Sequence, residues 1–468
     1  MSVALHWFRT DLRVEDNPGL LAAQQSGLPV VALYIATPGQ WQLHDDAPIK
    51  LDFWRRNLLA LDAALQKLGI PLLCEQADSY RDIPARFEQL LPALQVAELH
   101  CNTEYPLNER KRDEAVAAVC RRQGVQMQQH LDQVLVEPAA LLNKSGEPFK
   151  VFTPYARTAR VMLPPVVNAT KLRKQQSPEL PALPHSKSVD ELTFAAVDKE
   201  WDKAWPAGEK HAMQRLTLFC QQRITEYKTQ RDIPSVNGTS TISAYLAAGV
   251  LSVRQCWQAS QQWQEGEGVL VWQNELLWHD FYKYIVYHYP HVCQHKPWKN
   301  DVGHVPWRHD KKEFQLWCEG RTGIPIIDAA MRQLLQTGWM HNRLRMLVAM
   351  FLTKHLLIDW RWGERWFMQH LIDGDFAANN GGWQWSASTG TDAVPYFRIF
   401  NPVTQSRRFD PDGDFLRRFL PELATLDNHT IHDPGLLRPA SYPPPMLELA
   451  FGRERALQAF KRQDSLLL

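Results

Sequence analysis

The chain has 468 residues, a net charge of +1, 45% hydrophobic and 22% charged residues, a length beyond one ordinary domain and a composition typical of globular proteins. No apolar run reaches the length of a membrane span, and the first residues lack the basic and apolar regions of a secretory leader. The seven cysteines are scattered, odd in number and without a CxxC pair, which argues for reduced thiols in a cytoplasmic protein rather than a disulfide framework.

Short runs rich in Val, Leu and Ile at 3–8, 30–36, 71–76, 97–102 and 125–130 read as strands. Between them, 17–26, 49–68, 79–94 and 108–123 carry apolar residues at helical spacing. Strands alternating with helices predict an α/β domain over 1–131, built on a doubly wound, parallel, five-stranded sheet. No GxGxxG follows the first strand, so a ligand of this domain is expected at the C-terminal edge of the sheet. Residues 132–206 read as a long linker that includes Pro164, Pro165, Pro178, Pro181, Pro184 and Pro206.

From 207 to 468 the pattern is all-helical. Gly238-Thr-Ser-Thr-Ile-Ser243 precedes an apolar run at 244–251 and reads as a helix N-terminus. Its hydroxyls and free N–H groups suit a phosphate, or simply cap the helix. Gly320–Gly323 is a break, and Pro325 suits the first turn of a helix over 326–336. From Arg321 to Arg365 seven basic and three acidic residues occur, which fits either a phosphate-binding patch or a solvated helix face.

Thirteen of the 18 tryptophans fall between Trp257 and Trp385, more than a core requires, and point to π-surfaces for a planar cofactor or for bases. In Asp373-Gly-Asp-Phe-Ala-Ala-Asn-Asn-Gly-Gly-Trp-Gln-Trp385 the acids and amides suit ribose hydroxyls and heterocycle edges. Gly381 and Gly382 there are expected to allow close approach or positive φ. Asn342 and Met346 share a helix face at i,i+4 while Arg343 points elsewhere, and Glu275 with Trp278 sets a carboxyl beside an indole. His288, His291, Cys293 and His295 have metal-like spacing, but no carboxylate or second cysteine completes a set and Pro290 interrupts the helix, so no metal is expected.

Taken in order, His6-Trp-Phe-Arg-Thr-Asp-Leu-Arg13, Thr239–Ser243, Asn274–Trp278, Thr322–Pro325, Asp328–Arg332, Trp339–Met346, Asp373–Trp385 and Pro395-Tyr-Phe-Arg-Ile-Phe-Asn-Pro402 resemble the photolyase/cryptochrome family along nearly the whole chain. The likeness is greatest to its bacterial members that split cyclobutane pyrimidine dimers and carry a folate antenna.

The resemblance implies FAD bound in a U-shape in the helical domain and reduced in the active state. Tyr227, Thr239, Ser240, Thr241, Ile242 and Ser243 would hold its phosphates. Asp373 and Asp375 would meet the ribose and ring edges, Arg345 would pair with an aspartate, and Asn379 would lie near flavin N5. Trp272, His279 and Trp339 would complete the cofactor site. Excited reduced flavin would lend an electron to the dimer, the ring would open, and the electron would return.

Glu275, Asn342 and Met346 would form the lesion pocket, with Trp278 and Trp385 packed on a dimer flipped out of single- or double-stranded DNA. Arg231, Arg343, Arg398 and Gln405 would meet phosphates or the flanking strand. Trp383, Trp360 and Trp307 would relay electrons to the flavin. His44, Asn108, Glu109 and Cys293 would hold a 5,10-methenyltetrahydrofolate antenna. A monomer without membrane attachment is expected.

Three departures accompany the likeness. Gln294 stands where a basic residue is expected, His279-Asp280 replaces an Arg-Glu pair, and Thr241 stands where relatives can carry arginine. Weaker flavin or DNA binding is the expected consequence. The rival reading is a cryptochrome-like photoreceptor without repair activity, against which Asn379, Glu275 and Trp278 weigh.

Overall fold

The computed structural model describes residues 2–163, 171–181, 186–197, 201–263, 266–299 and 305–464; Pro164, Pro165 and Pro184 of the expected linker lie outside them. Strands β1 (Val3–Phe8), β2 (Val30–Ala36), β3 (Leu72–Gln76), β4 (Val96–Asn102) and β5 (Gln126–His130) form one parallel sheet in the order β3-β2-β1-β4-β5. The order reverses direction between β1 and β4, as a doubly wound sheet requires.

Helices α1 (Pro18–Gln25), α2 (Pro38–Leu43), α3 (Pro48–Lys67), α4 (Ile83–Ala93) and α5 (Leu107–Arg122) connect the strands. The strands match expectation closely, while α2 is new and α4 begins four residues late. Six residues are too few for α2 to show a helical period. At the start of α4 the Asp82 carboxylate accepts from the Ser79 N–H (2.9 Å) and hydroxyl (2.8 Å), holding 79–82 as a turn.

Next in the chain come α6 (Phe152–Met162), α7 (Glu209–Gln222), α8 (Tyr227–Gln230), α9 (Ser243–Ala247), α10 (Val253–Gln261) and α11 (Glu267–His288). They are followed by α12 (Lys311–Cys318), α13 (Pro325–Thr337), α14 (Asn342–Met350), a π-helical turn (Phe351–His355), α15 (Trp360–Met368), α16 (Phe376–Ala387), α17 (Pro402–Phe409), α18 (Asp414–Phe419) and α19 (Leu449–Asp464).

Two expectations are revised here. The helix after the hydroxyl cluster is α9, five residues long, not a run over 244–251. Gly249 ends it at φ 64°, where a Cβ would sit 1.9 Å from the Thr10 carbonyl oxygen. Gly381 and Gly382 have no positive φ, since both lie inside α16, so of the two roles expected for them only close approach remains.

The chain divides into two compact units. The first comprises Met1–Thr225, Ser240–Pro290 and Ile372–Gly374; the second comprises Glu226–Thr239, His291–Leu371 and Asp375–Leu468. In the first, Leu5, Trp7, Leu33, Phe87 and Leu99 are buried between the sheet and its helices. The second gathers Trp317, Trp360, Phe367 and Trp383 into one core. Several of the clustered tryptophans are therefore packing residues as well as candidate functional ones. No helix among the described residues is long and apolar enough to cross a membrane.

Candidate functional site

The first unit carries a polar cluster where the segments after β2, β3 and β4 meet at the C-terminal edge of the sheet. Gln40 and Asn108 both offer amide N–H groups to His44 Nε2, at 2.8 and 3.0 Å. The Tyr80 hydroxyl lies 3.4 Å from Glu109 Oε1, and His44 Nδ1 lies 3.8 Å from the same oxygen. Burial pushes the Glu109 carboxyl up. Its other oxygen, Oε2, is buried and has no hydrogen-bond partner among the described residues. A buried carboxylate oxygen without a donor is costly, so this cluster fits a ligand that brings N–H groups.

The switch point between β1 and β4 carries paired charges instead. It is filled by an ion network in which Arg112 bridges Glu104 (2.6 Å) and Asp113 (2.7 Å), while Arg9 reaches Asp113 and the Asn102 carbonyl. Gln40 and Tyr80 escaped the sequence reading because neither sits in a recognisable motif.

Farther along the first unit, α11 sets Trp272, Glu275, Trp278 and His279 within two turns. Trp272 is buried and packs at 5.1 Å from Phe219. Phe152 of α6 stacks on Trp278 at 3.8 Å and 8°, covering one indole face. Glu275 is half-buried beside it. His279 Nδ1 lies 3.0 Å from Asp280, whose buried carboxyl is pushed up by desolvation and accepts from the Leu135 N–H at 2.6 Å. The pair that replaces Arg-Glu is thus partly a structural tie.

The hydroxyl cluster is not a simple cap. Ile242 stands at the N-cap of α9 and its side chain makes no capping bond. Ser243 instead donates to the Asp373 carboxylate at 2.6 Å, which brings two sequence-distant candidates together. Thr241 is held at φ 49°, with its hydroxyl on the Ser240 carbonyl at 2.8 Å. Lys50 fixes the adjoining segment by donating to the Gly374 carbonyl at 2.6 Å.

In the second unit, α14 begins where His341 Nδ1 accepts the Arg343 N–H at 3.2 Å. Burial drops the His341 imidazole to about 4, so it is neutral near pH 7. Asn342 is exposed and Met346 half-buried one turn on, the shared face expected from their spacing. Arg343 turns away, pairing with Asp232 at 2.8 Å and covering Phe409. Arg231 lies over Tyr227, and Arg345 donates to the Met340 carbonyl at 2.8 Å. Arg398 is exposed, while Gln405, Trp339 and Cys293 are half-buried.

Asp375 caps α16 by accepting from the Ala378 N–H at 2.9 Å. Asn379 donates its amide to the Glu364 carbonyl at 2.9 Å, which leaves its own carbonyl oxygen as an acceptor. Asn380 holds the Glu364 carboxylate at 2.7 Å. A Cβ on Gly382 would meet open space, so this stretch of helix offers a flat ring unobstructed approach. Trp385 is half-buried.

Trp383 lies against Gly363 of α15, 5.0 Å from Phe367 and 6.0 Å from Trp317. Trp360 is fully buried, and Trp307 is partly exposed and 6.1 Å from Phe460. The indole N–H groups of Trp360 and Trp383 have no acceptor among the described residues.

Residues 4–178 match the family described as DNA photolyase, and residues 272–462 match the FAD binding domain of DNA photolyase. The chain is 43% identical to the deoxyribodipyrimidine photo-lyase of Vibrio cholerae, over 98% of this chain and 99% of that one. It is also 43% identical to the enzyme of the same name from Escherichia coli, with the same coverage. Among solved structures it is similar to a class III photolyase from Agrobacterium tumefaciens, with a TM-score of 0.88, 34% identity and 99% and 98% of the two chains covered. A Synechocystis cryptochrome gives a TM-score of 0.85 at 28% identity, over 98% of this chain and 99% of that one.

Proposed function

The chain belongs to the DNA photolyase family, and from that premise we propose that it repairs DNA by splitting cyclobutane pyrimidine dimers with light, as a carbon–carbon lyase that uses FAD. The observation that carries this reading is the likeness to named repair enzymes from one end of the chain to the other. When bound, reduced FAD would supply light-driven one-electron donation to the dimer with no net redox change.

The chain's own residues bind and orient. Tyr227, Thr239, Ser240, Thr241 and Ile242 hold the phosphates, while Asp373, oriented by Ser243, and Asp375 hold ribose and ring edges. Trp272, His279, Trp339 and Arg345 complete the cofactor site. Asn379, fixed on the Glu364 carbonyl, has its own carbonyl oxygen left as an acceptor and would hold the edge of the flavin ring.

Glu275 hydrogen-bonds the dimer and stabilises the added charge, Asn342 and Met346 close the pocket, and Trp278 and Trp385 pack on the bases. With one face covered by Phe152, Trp278 has a single face to offer. Arg231, Arg343, Arg398 and Gln405 take the strand, Arg343 by exchanging Asp232 for phosphate. Trp383, Trp360 and Trp307 would serve as a relay of indoles toward the flavin site. The buried Glu109 oxygen, without a partner among the described residues, supports 5,10-methenyltetrahydrofolate as the antenna, for which His44, Asn108 and Cys293 are the other proposed binding residues.

Functionally, the chain divides into an antenna domain (1–131), a linker (132–206) and a helical FAD- and DNA-binding domain (207–468). It acts as a cytoplasmic monomer on a flipped-out dimer. Blue-light repair of dimer-containing DNA by the reduced protein, with Glu275→Ala in parallel, tests the assignment. Wild-type repair with a Glu275→Ala variant that keeps its flavin but repairs at least tenfold more slowly is expected. A fully active Glu275→Ala variant would remove Glu275 from the mechanism.

A further inference from the structure

The loop Thr239–Ser243 contains hydroxyls and backbone N–H groups but no cation. Its neighbour in the first unit is the Asp373 carboxylate, 2.6 Å from the Ser243 hydroxyl. A diphosphate placed on this loop would meet one negative charge and no positive charge from the loop itself.

A positive charge reaches the loop from α7. Arg215 Nη1 lies 3.3 Å from both the carbonyl oxygen and the hydroxyl of Thr241. Its Nη2 donates to the Ala204 carbonyl at 3.0 Å. The guanidinium is also held over the rings of Trp205 (5.0 Å) and Tyr245 (5.5 Å). Among the described residues its three hydrogen-bond acceptors are all neutral oxygens, and none is a carboxylate. Arg223 is near enough to add repulsion rather than relief.

A guanidinium has five N–H donors. Three are engaged here, which leaves Nε–H and one Nη2–H for a further acceptor. A half-buried cation that is held on neutral oxygens, paired with no acid among the described residues and left with two spare donors there is arranged to receive an anion.

We propose that Arg215 is a cofactor-binding residue that supplies the Thr239–Ser243 loop with its missing positive charge and takes a phosphate of the bound dinucleotide. The inference rests on the FAD reading above. It also gives a reason why Thr241 is tolerated in a loop with no cation: the charge arrives from a neighbouring helix. Arg215 escapes sequence reading because it lies 26 residues before Thr241, on the face of an unremarkable helix.

The test uses full-length protein from which flavin has been released, then titrated with FAD across a range of KCl concentrations. Arg215→Gln is expected to raise the FAD dissociation constant at least tenfold and to flatten its salt dependence, because one screened charge–charge contact is gone. Arg215→Lys, which keeps the charge, is expected to remain within a few-fold of wild type. Arg215→Gln combined with Thr241→Arg is expected to recover most of the lost affinity by returning a cation to the loop.

Unchanged affinity in Arg215→Gln would overturn the proposal. So would weakened affinity with an unchanged salt slope, since that marks a merely structural residue. Wild-type protein that binds no FAD at all would instead defeat the reading on which the proposal stands.

Discussion

Replacing Gly363 with alanine would drive a methyl group into the ring of Trp383. The added Cβ would lie 2.1 Å from Cη2, 2.4 Å from Cζ3 and 2.6 Å from Cζ2. Ordinary carbon contacts begin at about 3.4 Å, so ring and helix must separate by more than about 1 Å. The ring has little room to yield, being 2% exposed and wedged between Phe367 and Trp317. Overpacking of this kind costs about 1–3 kcal/mol, against a gain of at most about 1 kcal/mol from alanine's better helix propensity.

Gly363→Ala is therefore expected to unfold at lower temperature and to photoreduce its flavin more slowly, because Trp383 is displaced. Gly382→Ala is the control, since its Cβ meets open space and the flavin-free protein should gain up to about 1 kcal/mol. Thermal unfolding of the flavin-free variants, with photoreduction of the loaded ones, measures both. A Gly363→Ala protein as stable and as fast as wild type would refute the reasoning.

Burial drops His355 to about 4, against an ordinary value near 6.5, so the unfolded chain takes up a proton in that range before the native protein does. Stability should fall as pH falls from about 6.5 to 4, with His355 contributing about 3 kcal/mol of the loss. His355→Gln should flatten this acid limb in thermal unfolding, and an unchanged limb would contradict it. Trp307→Phe should impair photoreduction of oxidised flavin while sparing repair by prereduced protein; equal loss of both would remove Trp307 from the relay. His279→Arg should tighten binding to dimer-containing DNA and steepen its salt dependence by about one phosphate contact, measured by titration at several salt concentrations. An unchanged slope would show that position 279 faces no phosphate.

The sheet was legible because its strands are short apolar runs separated by helices of regular period. What sequence could not reveal came from contacts far apart in the chain. The hydroxyl cluster resembled a helix cap, yet Gly249 against Thr10 cuts α9 to five residues, and Ser243 at its other end gives its hydroxyl to Asp373. The Asn-Asn-Gly-Gly stretch left positive φ open because two glycines dominate any local reading. It is helical because Asp375 caps the segment and Trp383 anchors it in the core. Motif order indicated Glu275 and Asn379, which sit in dense signatures. Arg215, Tyr80, Gln40 and Glu364 carry no signature and emerge only through their bonds.

The most direct test of the central claim is an oligonucleotide with a single thymine dimer, incubated with reduced, flavin-loaded protein in blue light and in darkness. Recovery of absorbance near 260 nm, which reports restored thymines, is the readout. The account predicts catalytic recovery in light, none in the dark, and no net consumption of the reduced flavin. A dimer left intact by illuminated, reduced and DNA-bound protein would contradict it.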